Sequence, residues 1–325
     1  SDLELATAEQ QSDLLLRRIE KAALGVQLPV VKTLDPRSES LGKFRFTGCR
    51  LSLPIDQELV ARVHAFAADQ KTSEHTIFLA AFQSLIGRLN GCRVFTVGGV
   101  LAERDDPAIH RIIGNLSRTV VYRADLNGDP TFHQLVQHVH DDLLWQIEHP
   151  KVHFEKVARA LVKQGGNVTN NPVFELMFTY QRVPVPEYLG DLTWLEIDTG
   201  SSRVATTLSV IQSGGDAICS WEYRTELYDA THIQRFHHLY TNLLSNLISE
   251  PRRRISMHPL VRAAEDTLGM SVLAGTRRSV PELRVDELIR QQVEQRSSQI
   301  AVRCDNQLLS YRQLQHWVDL VSANL

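Results

Sequence analysis

The chain has only four cysteines, Cys49, Cys92, Cys219 and Cys304, with no CxxC pair among them. Such sparse, scattered thiols exclude a disulfide framework and a structural zinc site, and they fit a reducing, cytoplasmic setting. Charge of one sign is scarce as well. Lys and Arg number 35 and Asp and Glu 38, a net charge of −3, which leaves no electrostatic footprint for nucleic acid. No apolar run is long enough to cross a bilayer, and Ser1–Gln11 is too polar for a signal peptide. No internal repeat and no low-complexity tract is present. What remains is ordinary globular composition: 325 residues, 43% hydrophobic and 22% charged, enough chain for about two domains.

Hydrophobic periodicity gives the order of elements. Leu3–Leu24 reads as an amphipathic helix ending at Gly25, followed by a polar connector and a strand over Arg45–Leu53. Helices are predicted over Asp56–Asp69 and Thr76–Leu89, the second stopped by Asn90-Gly91. Strands follow over Val94–Val100 and Arg118–Arg123, then a turn whose Pro130 suits the first position of a helix carrying Phe132, Leu135, Val136, Val139 and Leu143. Phe174–Tyr180 reads as a strand, and Val204–Val210 with Ala217–Tyr223 as a hairpin around Ser213-Gly214-Gly215-Asp216. Asp229 should cap a long helix with Ile233, Phe236, Tyr240, Leu243 and Leu247 inward. Pro251–Val280 is irregular. A last unit reads helix Val285–Gln295, strand Ile300–Cys304, turn Asp305-Asn306, strand Leu308–Ser310 and helix Tyr311–Leu325.

Chemistry is harder to find. No Walker loop, GxGxxG, GxSxG or HExxH occurs. His138 and His140 are two apart on a helix and face different sides, and Pro150 separates His149 from His153. Gly98-Gly99 after a strand is a weak phosphate-binding signal. Arg252–Arg254 reads as a solvated linker segment. His237-His238 is the pair closest to acyl-transfer chemistry, where a second histidine serves an attacking amine. Asn242 and Leu243 stand where that motif needs Asp-Gly, and the pair sits inside a helix, so the structural reading is favoured.

In order along the chain, several stretches resemble the condensation and adenylation domains of nonribosomal peptide synthetases. Thr76–Gly91 (TIFLAAFQSLIGRLNG) resembles the helix that opens the condensation domain's C-terminal lobe. Val94–Arg104 (VFTVGGVLAER) resembles "vvGspvagR", and Ile113–Arg123 (IGNLSRTVVYR) resembles GxFVNTxxxR. His149–Glu155 (HPKVHFE) resembles HQDVPFE, and Asn170–Phe178 (NNPVFELMF) resembles RNPLFQVMF. Glu222–Leu247 resembles the closing strand and helix. Val285–Leu314 resembles the first stretch of an adenylation domain, with Leu309, Ser310, Tyr311 and Leu314 in its L-S/T-Y-x-E-L motif.

The resemblance implies an α/β fold of the α+β sandwich kind: a chloramphenicol-acetyltransferase-like lobe with a mixed sheet flanked by helices, plus a small α/β fragment. Residues 1–48 would be the last helix of an absent N-terminal lobe and a connector, 49–262 the C-terminal lobe, 263–280 a linker, and 281–325 the start of an adenylation domain. The family's catalytic HHxxxDG lies in the absent lobe. Other positions depart from the usual residues: Leu116 for Phe, Arg118 for Asn, Pro150-Lys151 for Gln-Asp, His153 for Pro, Gly166-Asn167 for Arg-Asp, and Ala205 for Asp. Arg104, Arg118 and His149 are the channel or interface candidates; no catalytic residue and no metal ligand is assigned.

These features imply a non-catalytic scaffold or docking lobe beside an adenylation domain. The alternative is half of an amide-bond-forming acyltransferase, and an unrelated small transferase is the weakest reading, since no nucleophile, base and orienter assemble. The partners implied are carrier domains with their phosphopantetheine, the rest of the adenylation domain, and a missing N-terminal lobe or a trans-acting tailoring enzyme, with no nucleic acid and no membrane. ATP and Mg²⁺ would serve the parent adenylation domain, the product being a secondary metabolite such as an antibiotic or siderophore. An unpaired lobe should expose an apolar face, and the Leu314, Trp317, Val318, Val321 and Leu325 face should pack on the lobe or on a second copy. The chain breaks off inside its last helix pattern at Ser322-Ala323-Asn324-Leu325, which reads as an excised piece. This polypeptide is therefore expected to give no ATP–pyrophosphate exchange; exchange above background for any amino acid would refute that.

Overall fold

The computed structural model describes residues 2–19, 22, 24, 26, 28–29, 46–102, 111–114, 116–152, 154–163, 171–183, 197–261, 284–304 and 307–323. It divides into a large unit, Ser1–Glu265, and a small one, Asp266–Leu325. In chain order the large unit holds α1 (Asp2–Ile19), β1 (Gly48–Ile55), α2 (Gln57–Asp69), α3 (Glu74–Asn90), β2 (Val94–Ala102) and β3 (Ser117–Asp125). It continues with α4 (Phe132–Glu148), α5 (Phe154–Lys163), β4 (Leu176–Val183), β5 (Thr206–Ser213), β6 (Asp216–Arg224) and α6 (Ala230–Ser249).

Helix starts are fixed by side chains that accept from free backbone N–H groups. Asp56 caps α2, Ser73 caps α3 and Asp229 caps α6. Thr131 and Gln134 form a reciprocal capping box on α4. That box corrects the reading of Pro130: the helix begins at Phe132, so Pro130 precedes the cap and uses its carbonyl to accept from Ile255 N at 3.0 Å. Gly91 ends α3 at φ 64°, a left-handed turn that favours glycine.

Among the described residues one mixed sheet forms, in the order β1-β6-β5-β4-β2-β3. β4 runs parallel to both β5 and β2, and the other pairings are antiparallel. The hairpin β5–β6 closes through Gly214-Gly215, with Gly214 at φ 60°. The join between β4 and β2 is narrow, with only Gly98 facing Met177 and Gly99 facing Phe178. Both glycines are there for space. A Cβ on Gly98 would lie 2.3 Å from the Phe174 ring, and one on Gly99 would lie 2.2 Å from the Tyr122 ring. The phosphate-binding reading of Gly98-Gly99 is thereby corrected: they are strand-interior seats for two rings.

The two rings belong to two cores. On one sheet face α2, α3, α4 and α6 bury Val63, Phe78, Phe82, Leu135, Tyr240 and Leu243 against Tyr122, Phe178, Leu208 and Trp221. Helix α3 is buried almost all round, as a helix between a sheet and other helices must be. On the other face Leu15 and Ile19 of α1 and Val157 of α5 pack with Val121, Val173 and Phe174. Further along that second face, where an apolar patch was expected, one row across the sheet is polar. Ser52, Ser220, Ser209 and Thr179 stand in one register row across β1, β6, β5 and β4. Thr179 Oγ1 donates to Ser209 Oγ at 2.8 Å, and Ser52 Oγ to Ser220 Oγ at 3.3 Å.

The small unit contains α7 (Val285–Arg296), a hairpin of β7 (Ile300–Cys304) and β8 (Gln307–Ser310), and α8 (Tyr311–Ser322). Helix α8 ends short of the expected Leu325. Trp317, Val318 and Val321 are exposed within the small unit, as α8 presents its other side to α7, β7 and β8. The residues expected as a linker, 263–280, lie outside the described residues.

Two buried imidazoles tie stability to pH. Burial lowers the pKa of His75 to about 4, and burial together with the neighbouring His238 lowers that of His237 to about 4, against an ordinary 6.5. The unfolded chain therefore binds more protons than the folded one between these values, and both terms remove stability as pH falls through that window. His75→Phe removes one term, so relative to wild type it gains stability steadily from pH 6.5 to 4 in urea denaturation; curves parallel throughout would contradict this.

Candidate functional site

Strand β3 is a sheet edge, and its outward backbone groups need partners. Helix α4 runs beside it and supplies them. Asp142 Oδ2 accepts from Arg123 N at 3.0 Å, and one turn later Gln146 Nε2 donates to Val121 O at 2.7 Å. Both side chains are buried. Burial pushes the Asp142 carboxyl up, against the pull of Arg18, whose Nη2 lies 2.5 Å from Asp142 Oδ1. The Arg18 guanidinium also stacks over Trp145 at 4.5 Å. The His149 ring stacks on Trp145 at 4.2 Å. A cleft of about 460 Å³ beside these groups is lined by Arg18, Arg123, Asp141, Trp145 and Glu148 among others.

The structure thus brings together two of the residues singled out from sequence. His149 ends α4 with Nδ1 2.8 Å from Trp145 O, and the Arg118 guanidinium donates to Gln146 O. Both serve the last turn of one helix. Arg104 and His153 lie outside the described residues. His140 Nδ1 meets Thr72 Oγ1 at 2.9 Å, and His138 is exposed.

The His237-His238 pair sits within α6. Trp221 Nε1 donates to His237 Nδ1 at 3.4 Å, so Nε2 carries the proton and donates to Pro54 O at 3.2 Å. That carbonyl belongs to β1, the opposite sheet edge, where Pro54 has no N–H to expose. His237 is a neutral edge clamp.

A second polar cluster gathers at the carboxyl ends of the parallel strands β4 and β5, a place sequence reasoning missed. Glu74, in the first turn of α3, is buried. Its Oε2 accepts from Tyr180 OH at 2.8 Å. Its Oε1 lies 2.6 Å from His64 Nδ1 of α2 and 3.5 Å from Arg182 Nη2. The Gln212 side-chain amide lies 2.5 Å from the same phenol. The contact is to Gln212 Oε1, so the single phenolic proton is shared between the Glu74 and Gln212 oxygens. Burial and the Glu74 charge push the Tyr180 phenol well up, which keeps it a donor. The neighbouring His75 is boxed by Tyr122, Phe178 and Tyr180 at 5.5–6.3 Å. Only the capping Ser73 and Glu74 carried a local signal; the 10-residue separation of His64 from Glu74 follows no motif.

At the amino ends of the same strands Glu175 Oε2 lies 2.6 Å from Arg224 Nη2 and accepts from Ala205 N at 2.9 Å. The RNPLFQVMF pattern has Gln at the position of Glu175, and the usual Asp stands at Ala205. Here the carboxylate that satisfies this junction comes from β4's side. In the small unit Ser310 and Gln313 form a capping box that turns β8 into α8, so Ser310 of the LSYRQL segment has a structural task. Leu309 precedes it on β8, and Tyr311 and Leu314 open the helix.

Residues 21–268 match the protein family described as Condensation domain. One of the linear gramicidin synthase proteins of Brevibacillus parabrevis is 26% identical over 277 residues, 83% of this chain and 5% of that protein. Malpibaldin synthetase of Mortierella alpina is 23% identical over 323 residues, 98% of this chain and 6% of the other. The chain spans 4–5% of the length of the three linear gramicidin synthase proteins it matches. Among solved structures, the complex of the X-domain and OxyB from teicoplanin biosynthesis aligns with a TM-score of 0.66 at 17% identity, over 79% of this chain and 56% of that one. Holo-AB3403, a four-domain nonribosomal peptide synthetase bound to AMP and glycine, aligns with a TM-score of 0.66 at 18% identity, over 98% of this chain and 25% of that one. At these identities the structures speak to the fold.

Proposed function

The chain belongs to the condensation-domain family of nonribosomal peptide synthetases, and from that premise we propose that it is a docking lobe without condensation activity of its own. It would hold a carrier domain or a tailoring enzyme beside an adenylation domain that residues 281–325 begin. The observation that carries this reading is the fate of Arg118 and His149. Both spend polar atoms on backbone carbonyls of α4's last turn, where an acceptor channel would need them directed at a substrate. Of the His-His pair, His237 is committed to Trp221 and Pro54, and His238 lies exposed on the same helix. One solved structure of this fold is a complex of an X-domain with OxyB, which makes protein docking a use open to the fold. On this reading phosphopantetheine belongs to partner carriers, and ATP and Mg²⁺ to the parent adenylation domain.

The second reading is half of a working condensation domain. It is favoured by the first condensation domain of the calcium-dependent antibiotic synthetase, solved in complex with a substrate analogue, of which this chain covers 54% with a TM-score of 0.60.

One experiment separates them. The chain is mixed with two aminoacyl-loaded carrier proteins, alone and with a separately expressed N-terminal lobe bearing HHxxxDG, and products are read by mass spectrometry while carrier binding is read by NMR. The docking reading expects chemical-shift changes on the lobe and no dipeptide in either mixture. Dipeptide formed once the second lobe is added would overturn it in favour of the half-enzyme.

A further inference from the structure

The cluster at the carboxyl ends of β4 and β5 has the geometry of a base held by an orienter, and nothing in the docking role uses it. His64 is exposed at 66% of its side chain, while Glu74 beneath it is 8% exposed. The 2.6 Å contact is to Nδ1. In the neutral ring it places the proton on Nδ1 and leaves the Nε2 lone pair directed to solvent, with no protein partner among the described residues. The carboxylate cannot swing away. Tyr180 holds its second oxygen at 2.8 Å, Arg182 stands 3.5 Å from the first, and Gln212 fixes the phenol. Glu74 also sits in the first turn of α3, where the helix dipole favours a negative charge. Four elements, α2, α3, β4 and β5, therefore converge to orient one surface imidazole. The other close His–carboxylate pair differs: Asp229 is 45% exposed, His232 is 26% exposed, and the two lie one turn apart at a helix cap.

We infer that His64, oriented by Glu74, is an acyl-accepting imidazole that hydrolyses small acyl thioesters, independently of whether the lobe docks a carrier. In the first step the Nε2 lone pair forms a bond to the thioester carbonyl carbon. The C–S bond breaks, and the thiolate leaves and takes a proton from solvent. Glu74 holds the Nδ1 proton as the ring gains charge, the service a buried carboxylate gives a catalytic histidine. In the second step water attacks the acyl-imidazole carbonyl. The C–N bond breaks, the carboxylic acid departs, the proton left over from the attacking water returns to solvent, and the neutral ring is restored. The balance is thioester plus water giving acid plus thiol, and no other reactant is needed. His64 is the catalytic residue; Glu74 and Tyr180 are positioning residues.

The test uses the full chain and phenyl thioacetate, with thiophenol release followed spectrophotometrically. His64→Gln, at an exposed site, is expected to leave the melting temperature in place and to lower the enzymatic rate by about 100-fold. Glu74→Gln is expected to lower kcat with KM little changed. It should also shift the His64 tautomer, read by ¹⁵N NMR, away from the Nδ1–H form that dominates the wild type. His316→Gln, at an exposed histidine of the small unit, should match wild type. Turnover that survives His64→Gln, or a His64 ring with no Nδ1–H preference in the wild type, overturns the inference. Loss of activity in Glu74→Gln through unfolding does not rescue it, because the exposed His64→Gln variant decides the matter alone.

Discussion

The sheet is joined across its middle by two glycines. Strands β2 and β3 pair along nine positions, and β4, β5 and β6 pair along eight each. Between β2 and β4 only Gly98 and Gly99 find partners. At that seam each missing side chain is replaced by a ring from the adjoining core, Phe174 on one face and Tyr122 on the other. The glycines therefore set how close the two halves of the sheet approach, and with it the spacing of both cores. Helix α3 spans the seam on one side, with His75 near Tyr122 and Phe178. On the other side α1 and α5 meet Phe174.

Once the halves are joined, the polar groups that remain are absorbed by architecture. Edge β3 is closed by Asp142 and Gln146 of α4, and edge β1 by His237 and the residues around Asp198 and Gly200. The starts of β4 and β5 are tied to the end of β6 by the buried Glu175–Arg224 pair, together with Ala205 N. A buried pair of this kind is weak evidence for stability but fixes register well, since losing one partner strands the other charge. Among the described residues, Arg118 and His149 are likewise engaged with backbone of α4. The cluster around Glu74 is the exception, because it ends on an exposed imidazole.

Much of this fold was legible in sequence, and for physical reasons. Caps at Asp56, Ser73, Asp229 and Ser310 are local, so helix starts lie close to the positions their sequence signals mark, and the strand Ile300–Cys304 is found with the bounds expected. Pro130 falls outside its helix because the Thr131–Gln134 box outranks a proline preference one residue earlier. The roles of Gly98 and Gly99 depend on rings 76 and 23 positions further along the chain, at Phe174 and Tyr122, and no window shows that. Arg118 and His149 stand out through the resemblance, but their common anchor on α4 required the structure. His64, Glu74, Tyr180 and Gln212 come from four elements, and no spacing connects them.

The seam is tested most directly by adding one methyl group to it. In Gly99→Ala the new Cβ would fall 2.2 Å from the buried Tyr122 ring, whereas in Gly114→Ala it would meet open space. Urea denaturation should show Gly99→Ala losing about 1–3 kcal/mol through overpacking, with amide exchange accelerated on β2 and β4 together, while Gly114→Ala stays within about 0.5 kcal/mol of wild type. A Gly99→Ala protein with unchanged stability and unchanged exchange on both strands would show that the sheet does not depend on this join.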